Sequence, residues 1–183
     1  MCNTLFRFFV KEIAVGWCDV EMIINDKVIN FDASYVGPNP LDSLIEACAD
    51  LSGPYSDGEF YVTWLKEPGS LHIALKLEDN KLLDLDIKLC SEESGNDVIQ
   101  EWHETIPYDI FESAVVSEGF RILKMYGLCG YHSSWSKNID FPLSALLRLT
   151  KKVALSQKGD SFYSDINTEL ECLSHYLPIN PYN

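Results

Sequence analysis

Cysteine and histidine lie close together at one place in the chain, the tetrapeptide Cys129-Gly130-Tyr131-His132. A thiolate beside a general base can act as a nucleophile, and both side chains are zinc ligands. A nucleophilic pair needs a third group that orients the histidine. A zinc site needs two further ligands, and the available donors, Cys90 and His103, form no second pair. The pattern favours a structural cysteine and histidine, with a small enzyme that uses Cys129 and His132 as the alternative.

Acidic residues and a second histidine lie in the middle of the chain. Asp84 and Asp86 are two residues apart among alternating leucines, so on a strand both side chains point to the same face. They could share a cation or meet a basic partner, although such pairs more often form the solvated side of a strand. In Trp102-His103-Glu104 a histidine adjoins a carboxylate. Neighbours on a strand point to opposite faces, so this pair is expected not to cooperate.

The sequence lacks the motifs of several common enzyme classes. It contains no GxxxxGK[ST], GxGxxG, HExxH or GxSxG segment. The residues that these motifs supply for nucleotide binding, dinucleotide binding, zinc-protease catalysis and α/β-hydrolase catalysis are therefore missing. Tryptophans 17, 64, 102 and 135 could form an aromatic cage, but anchoring of the core is favoured because indole buries a large area. We therefore predict no cofactor and no metal site.

Residues 59–90 give the clearest indication of the elements that position these side chains. Aliphatic residues alternate with polar ones in two runs, Leu71–Leu77 and Leu83–Leu89. A period of two predicts a sheet with one covered face and one wet face. Strands are expected at about 59–66, 70–78 and 81–90, joined by turns at Glu67-Pro68-Gly69 and Asp79-Asn80.

The remaining segments predict three earlier strands and four helices around this sheet. The strands are Leu5–Val15, Cys18–Ile24 and Lys27–Tyr35, and the helices are Leu41–Leu51 with Asn39 as N-cap, Pro107–Tyr126, about 142–156, and Ile166–Leu177. Ser91–Asp97 is polar and acidic, which is typical of a mobile surface loop. The fold class is therefore predicted as α+β, a single domain over residues 1–183. We expect one antiparallel sheet of about six strands, with about four helices packed mainly on one face.

Charge is distributed unevenly along the chain. Residues 1–120 hold 23 acids and 7 bases, a net charge of −16, whereas residues 121–183 hold 5 acids and 7 bases, a net charge of +2. Acidity often serves solubility alone, but such a field also repels nucleic acid and anionic lipid and attracts basic partners. No apolar run approaches the length of a membrane span, and the six scattered cysteines lack the density of a disulfide scaffold. We expect a cytoplasmic protein without disulfides.

Two blocks of the sequence resemble a known group of proteins. The first is Phe31–Tyr35 and Pro40–Leu44, followed by Trp64 and Glu67-Pro68-Gly69-Ser70-Leu71, and the second runs from Tyr126 to Leu147. The first pattern resembles small bacterial immunity-like proteins of polymorphic toxin and contact-dependent growth inhibition systems. The second is similar to uncharacterised bacterial proteins of this size. The resemblance implies a non-enzymatic cytoplasmic protein that binds one toxin tightly, and it supplies no transferable binding residues.

Together these observations predict a bacterial immunity protein that binds and neutralises a cognate toxin. The toxin is expected to be basic, which suits a nuclease, because opposite charge speeds encounter. The predicted contacts come from the charge argument and are Asp84, Asp86, Glu92 and Glu93. Neither nucleic acid nor a membrane is expected as a partner. An adaptor module with a partner other than a toxin is a further alternative.

Overall fold

The computed structural model describes residues 5–51, 58–78, 81–135, 139–155 and 166–177, with the backbone alone for 151–155. These residues form an α+β fold with two antiparallel sheets, in the order β1-β2-β3 and β4-β5-β6-β7. The elements are β1 (Phe6–Ala14), β2 (Trp17–Ile24), β3 (Lys27–Ser34), α1 (Pro40–Leu51), β4 (Glu59–Lys66), β5 (Gly69–Glu78), β6 (Leu82–Cys90), β7 (Val98–Pro107), α2 (Tyr108–Ser134), α3 (Leu143–Leu155) and α4 (Ile166–Tyr176).

The prediction of one sheet with about six strands was imprecise, because the described residues form seven strands in two sheets. The missed strand is β7. Its polar residues fall on both faces, since Gln100 and Glu104 alternate with Glu101 and His103. A strand at the edge of a sheet has little cover on either face, so no period of two marks it. The α+β class and the presence of four helices among the described residues agree with the prediction.

Local signals in the sequence act as predicted at two boundaries. The side-chain oxygen of Asn39 accepts hydrogen bonds from the backbone N–H groups of Leu41 and Asp42, at 3.1 and 3.4 Å, so Asn39 caps α1. Asn25 has a φ of 56° in the turn between β2 and β3. Asparagine tolerates this left-handed conformation better than most residues, and the two-residue turn then fixes the register of the hairpin.

The inner faces of both sheets share one hydrophobic core with the helices. α1 contacts β4 and β5, and α2 contacts β1, β6 and β7. The aliphatic face predicted from the alternation is buried at Leu71, Ile73, Leu75, Leu83, Leu85 and Ile87, and partly buried at Leu77 and Leu89. These side chains are covered by α1 as well as by α2, because the connection from β3 returns α1 across β4 and β5.

Trp64 links three parts of this core. Its side chain is fully buried, and its ring centroid lies 5.9 Å from that of Phe8 on β1 and 6.5 Å from that of Phe31 on β3. The indole N–H donates to Ser43 Oγ on α1 at 3.3 Å. This satisfies the single polar atom of a large apolar side chain, so Trp64 anchors the core as the sequence suggested. Trp135 is also buried, whereas Trp17 is exposed.

An ion pair between the buried Glu118 and the partly exposed Arg121 attaches α2 to the edge of the first sheet. Glu118 is 4% exposed, and its Oε1 accepts the N–H of Val10 at 2.6 Å. Arg121 donates to Glu118 at 2.7 Å and to the carbonyl oxygen of Val10. Further along the same edge, the hydroxyl oxygen of Tyr126 accepts a hydrogen bond from the N–H of Ile13 at 2.9 Å. Side chains of α2 instead of a further strand thus bond the outer edge of β1 at Val10 and Ile13.

None of the described helices is long and apolar enough to span a membrane.

Replacing Leu85 by alanine is expected to lower the free energy of unfolding by about 2–5 kcal/mol, because it removes a core side chain and leaves a cavity. Leu85 is 1% exposed. Leu82 on the same strand is 47% exposed and provides the matched control, for which Leu82→Ala should change stability by less than about 1 kcal/mol. Chemical denaturation measures both. Equal losses in the two variants would show that the assigned faces of β6 are wrong.

Replacing Glu118 by alanine should cost roughly 3 kcal/mol, because it leaves Arg121 without its carboxylate partner and the Val10 N–H without an acceptor. Ser117 is the exposed neighbour on α2, and Ser117→Ala should stay within about 0.5 kcal/mol of the parent protein. Urea denaturation followed by circular dichroism compares them. A Glu118→Ala variant as stable as Ser117→Ala would contradict a structural role for the pair.

Candidate functional site

The wet face of the four-stranded sheet carries most of the charged residues that the sequence analysis singled out. Side chains at alternate positions of β5, β6 and β7 meet there, because Ala74 pairs with Asp86 and Asp86 pairs in turn with His103. The face continues into the loop 91–97, where Glu92 and Glu93 are exposed. All four predicted contact residues therefore lie on β6 or on the loop that directly follows it. The residues on this face are Glu59, Tyr61, Thr63, His72, Lys76, Asp84, Asp86, Lys88, Glu101, His103 and Thr105.

Both aspartates on β6 have cross-strand partners on β7. Thr105 Oγ1 donates to Asp84 Oδ1 at 2.6 Å, and His103 Nδ1 contacts Asp86 Oδ1. Glu101 then connects Lys88, at 3.0 Å, with the other ring nitrogen of His103, at 3.5 Å. Because these side chains are substantially exposed, water screens such pairs and they contribute little to the stability of the fold. The carboxylates are held in position but stay accessible to a partner.

His103 and Glu104 do not cooperate, as predicted from their adjacency. Glu104 points to the opposite side of β7, where its Oε2 accepts from the Asn25 side chain at 2.9 Å and its Oε1 contacts Lys27 Nζ. Glu104 therefore ties the second sheet to the β2–β3 turn of the first. The actual partner of His103, Asp86, is 17 residues away in sequence and is identified only through the strand register.

A hydrogen-bonded chain fastens the acidic loop 91–97 to β5. The hydroxyl of the buried residue Ser70 donates to the carbonyl oxygen of Glu92 at 2.7 Å. Ser70 Oγ therefore accepts from His72 Nε2, 2.9 Å away, which leaves His72 Nδ1 to accept from Thr63 Oγ1 at 3.2 Å. The bond to Ser70 requires a proton on Nε2, and a neutral imidazole of this tautomer satisfies both contacts.

Close packing reinforces this anchor. Gly95 has a φ of 74°, and a Cβ at this position would lie 2.8 Å from His72 Nε2, so a larger residue would displace the loop or the ring. Cys90 Sγ lies 3.6 Å from the carbonyl oxygen of Gly95. The loop predicted to be mobile is thus anchored at Glu92 and Gly95. The side chains of Glu92 and Glu93 project from a fixed backbone.

Cys129 and His132 lie on a short helical segment after a break in α2. Gly127 has a φ of 64° and a ψ of −179°, and helical geometry resumes beyond it. His132 Nδ1 is 2.8 Å from Asp140 Oδ1, so a carboxylate does orient this histidine. Within the described residues, however, no hydrogen bond joins the exposed Cys129 thiol to His132. The contact that a nucleophilic pair requires is therefore missing from this arrangement.

The described part of the chain contains no group of three or more His, Cys, Asp or Glu side chains that could hold a metal ion. Cys90, which the sequence offered as a possible ligand, is buried against Gly95. His103, the other possible ligand, is on the wet face of the sheet and contacts Asp86.

No known protein family, curated protein or solved structure matches this chain in comparisons of sequence and structure. The assignment of function therefore depends on the chemistry of its surfaces.

The anchor of the loop is expected to weaken as the pH falls. Partial burial, followed by the nearby Lys88 ammonium, lowers the pKa of His72 below its ordinary value of about 6.5. Folding therefore favours the neutral ring, and the stabilisation is complete above about pH 6.5 and is lost as the pH drops through the lowered value. The protection factors of the amides in residues 91–97, which correct for the base-catalysed intrinsic exchange rate, should therefore fall between pH 8 and pH 5. His72→Gln cannot titrate, so an identical pH profile in that variant would contradict this role.

Proposed function

We propose that this protein is a binding protein whose acidic surface captures and neutralises a basic protein, most specifically a cognate bacterial toxin. The observation that carries the proposal is the continuous wet face in which the carboxylates of Asp84, Asp86 and Glu101 adjoin the anchored loop of Glu92 and Glu93. The resemblance of the sequence to immunity-like proteins supports the choice of a toxin as the partner.

The electrostatics of this surface favour rapid encounter with a basic protein. Carboxylates outnumber the two lysines on the described face, Lys76 and Lys88, and both lysines are already paired, with Glu78 and Glu101. A surface of one sign raises association rates with an oppositely charged protein and repels polyanions such as nucleic acid. A nuclease toxin would fit this charge, because its own substrate selects for a basic surface.

The geometry also reduces the cost of binding. A loop that must be ordered on association loses conformational entropy, whereas the backbone of Glu92 is already fixed by Ser70. The cross-strand contacts of Asp84 and Asp86 hold these side chains without enclosing them. A partner can therefore meet several oriented carboxylates without a large rearrangement of this chain.

An enzyme that uses Cys129 and His132 is the second candidate, and the orientation of His132 by Asp140 is the observation in its favour. The two candidates differ in the residues they require. Neutralisation by binding requires the carboxylates around β6 and has no need of Cys129 or His132. Catalysis would require both of those residues and would tolerate changes to the acidic face.

Replacing Asp84, Asp86, Glu92 and Glu93 by lysine should slow association with the toxin by about tenfold or more at low salt, because electrostatic steering is lost. For the same reason, the association rate constant should depend less on salt concentration. The toxin to test first is the product of the neighbouring reading frame. Stopped-flow kinetics gives the rate constant, and survival of toxin-producing cells gives protection.

Two controls make this experiment specific. Glu92→Lys/Glu93→Lys and Glu12→Lys/Glu171→Lys change the net charge equally, but Glu12 and Glu171 lie outside the wet face, so the second variant should associate faster than the first. Cys129→Ala and His132→Ala should retain protection. Loss of protection in either of these variants, with the fold intact, would reject neutralisation by binding and favour catalysis.

A further inference from the structure

The edge strands of the two sheets differ in whether contacts to their outward backbone groups are present. At β1, Glu118 and Arg121 bond the outward N–H and carbonyl groups of Val10. The edge strands β3 and β4 contact each other, and Lys66 on β4 pairs with Asp32 on β3 at 2.9 Å. β7 is the remaining edge strand. Across residues 5–51, 58–78, 81–135, 139–155 and 166–177, no backbone or side-chain group bonds the outer edge of β7.

The strand register identifies which groups of β7 point outwards. The N–H of Tyr108 donates to the carbonyl of Lys81 at 2.9 Å, which marks this pair as a hydrogen-bonded position of the ladder. Bonded and non-bonded pairs alternate along an antiparallel ladder. The pairs of Asp84, Asp86 and Lys88 with β7 are then non-bonded. The N–H and carbonyl groups of their partners, Thr105, His103 and Glu101, consequently face away from β6.

Pro107 supports this assignment, because it pairs with Leu82 at another non-bonded position. Proline lacks an N–H, so within a sheet it is confined to places where no ladder bond is needed. Three residues at a spacing of two thus present donors and acceptors along one line, which is the pattern that an added strand would bond.

The side chains along β7 select the kind of strand that would fit. Residues 98–106 contain no lysine, arginine or proline, the residues that commonly block an exposed edge. Val98 and Ile99 are 43% and 62% exposed at the start of the strand. Glu101 projects onto the wet face from one of the outward-bonding positions, and the acidic loop 91–97 directly precedes the strand.

We propose that β7 is a docking edge on which an extended basic segment of the partner pairs as a fifth strand of the second sheet. Its backbone bonds the outward groups of Glu101, His103 and Thr105, and lysine or arginine at alternate positions faces the carboxylates of the wet face. Main-chain bonds then supply affinity while the alternate side chains supply specificity. The identity of the partner rests on the proposed function, whereas the pairing of a basic strand with β7 does not.

A second copy of this chain is a poorer occupant than a basic strand. Pairing β7 with itself would bring two strands together that each carry Glu101 and Glu104 and no lysine or arginine. It would also bring together two chains that each have a net charge of −14. Repulsion between these like charges opposes association of two copies.

The experiment uses the full chain and a ten-residue peptide of alternating lysine and valine, with alternating glutamate and valine as the control peptide. Amide hydrogen exchange by NMR is expected to slow at least about tenfold at Glu101, His103 and Thr105 when the basic peptide saturates the protein. The amides of Gln100, Trp102 and Glu104, which already bond β6, should change little. The acidic peptide should protect none of these groups.

Thr105→Pro removes one outward N–H and should weaken binding of the basic peptide by about tenfold, the expected loss for one interface hydrogen bond. Thr105→Val removes the same hydroxyl from Asp84 but keeps the N–H, so it should bind like the parent protein. The peptide measurement on the parent protein decides the proposal even if Thr105→Pro does not fold.

Four results would overturn the proposal. The basic peptide could bind without protecting the three outward amides, or not bind at all. These amides could exchange slowly in the free protein, which would mean that the edge of β7 is already covered. Sedimentation would then tell a dimer from a monomer that covers its own edge. Thr105→Pro and Thr105→Val could weaken binding equally. None of these results depends on the toxin, so failure here is distinguishable from failure of the toxin to bind.

Discussion

The buried contact between α2 and β1 fixes the arrangement on which the rest of the molecule depends. Glu118 and Arg121 together bond both polar backbone groups of Val10, and the same helix covers β6 and β7. The position of α2 on the first sheet therefore determines where it meets the second. Such a partly buried ion pair adds little net stability compared with an apolar contact, because Glu118 loses its water and Arg121 loses part of it. Its value here is in orientation, since neither charge finds an equivalent partner if the helix shifts along the strand.

With the inner faces committed to the core, the outer face of the second sheet is free to carry charge. The contacts of Asp84 and Asp86 with β7 contribute little to stability because water screens them. Weak, exposed contacts can be exchanged for those of a partner at small cost. The loop after β6 differs, because the buried hydroxyl of Ser70 fixes its backbone. Oriented charges on a fixed backbone are the arrangement that favours both fast and specific association.

The contrast between β1 and β7 connects the fold with the proposed function. At β1 an ion pair bonds the outward groups of Val10, whereas the outward groups of Glu101, His103 and Thr105 have no bonding partner within the described residues. Exposed edges promote aggregation, and proteins usually block them. The acidic side chains beside β7 restrict which strands can approach, since they repel copies of this chain. A single surface can thus combine electrostatic steering with backbone pairing.

Much of the fold could be read from local patterns. The alternation of Leu83, Leu85 and Ile87 with charged residues determined which face of β6 is buried, because a period of two separates the faces of any strand. Asn39 marked the start of α1, because its side chain bonds N–H groups only two and three residues away. The placement of Asp84 and Asp86 on one exposed face followed from the same alternation.

Tertiary structure alone decided the features that join distant segments. The pairing of Asp86 with His103, the anchor from Ser70 to Glu92 and the bond from Val10 to Glu118 connect residues 17, 22 and 108 positions apart. No local pattern encodes these contacts, because each depends on strand register and helix position. The division into two sheets has the same origin. Whether β3 and β4 form a ladder depends on how the shared core packs around Trp64, and this is a property of the assembled chain.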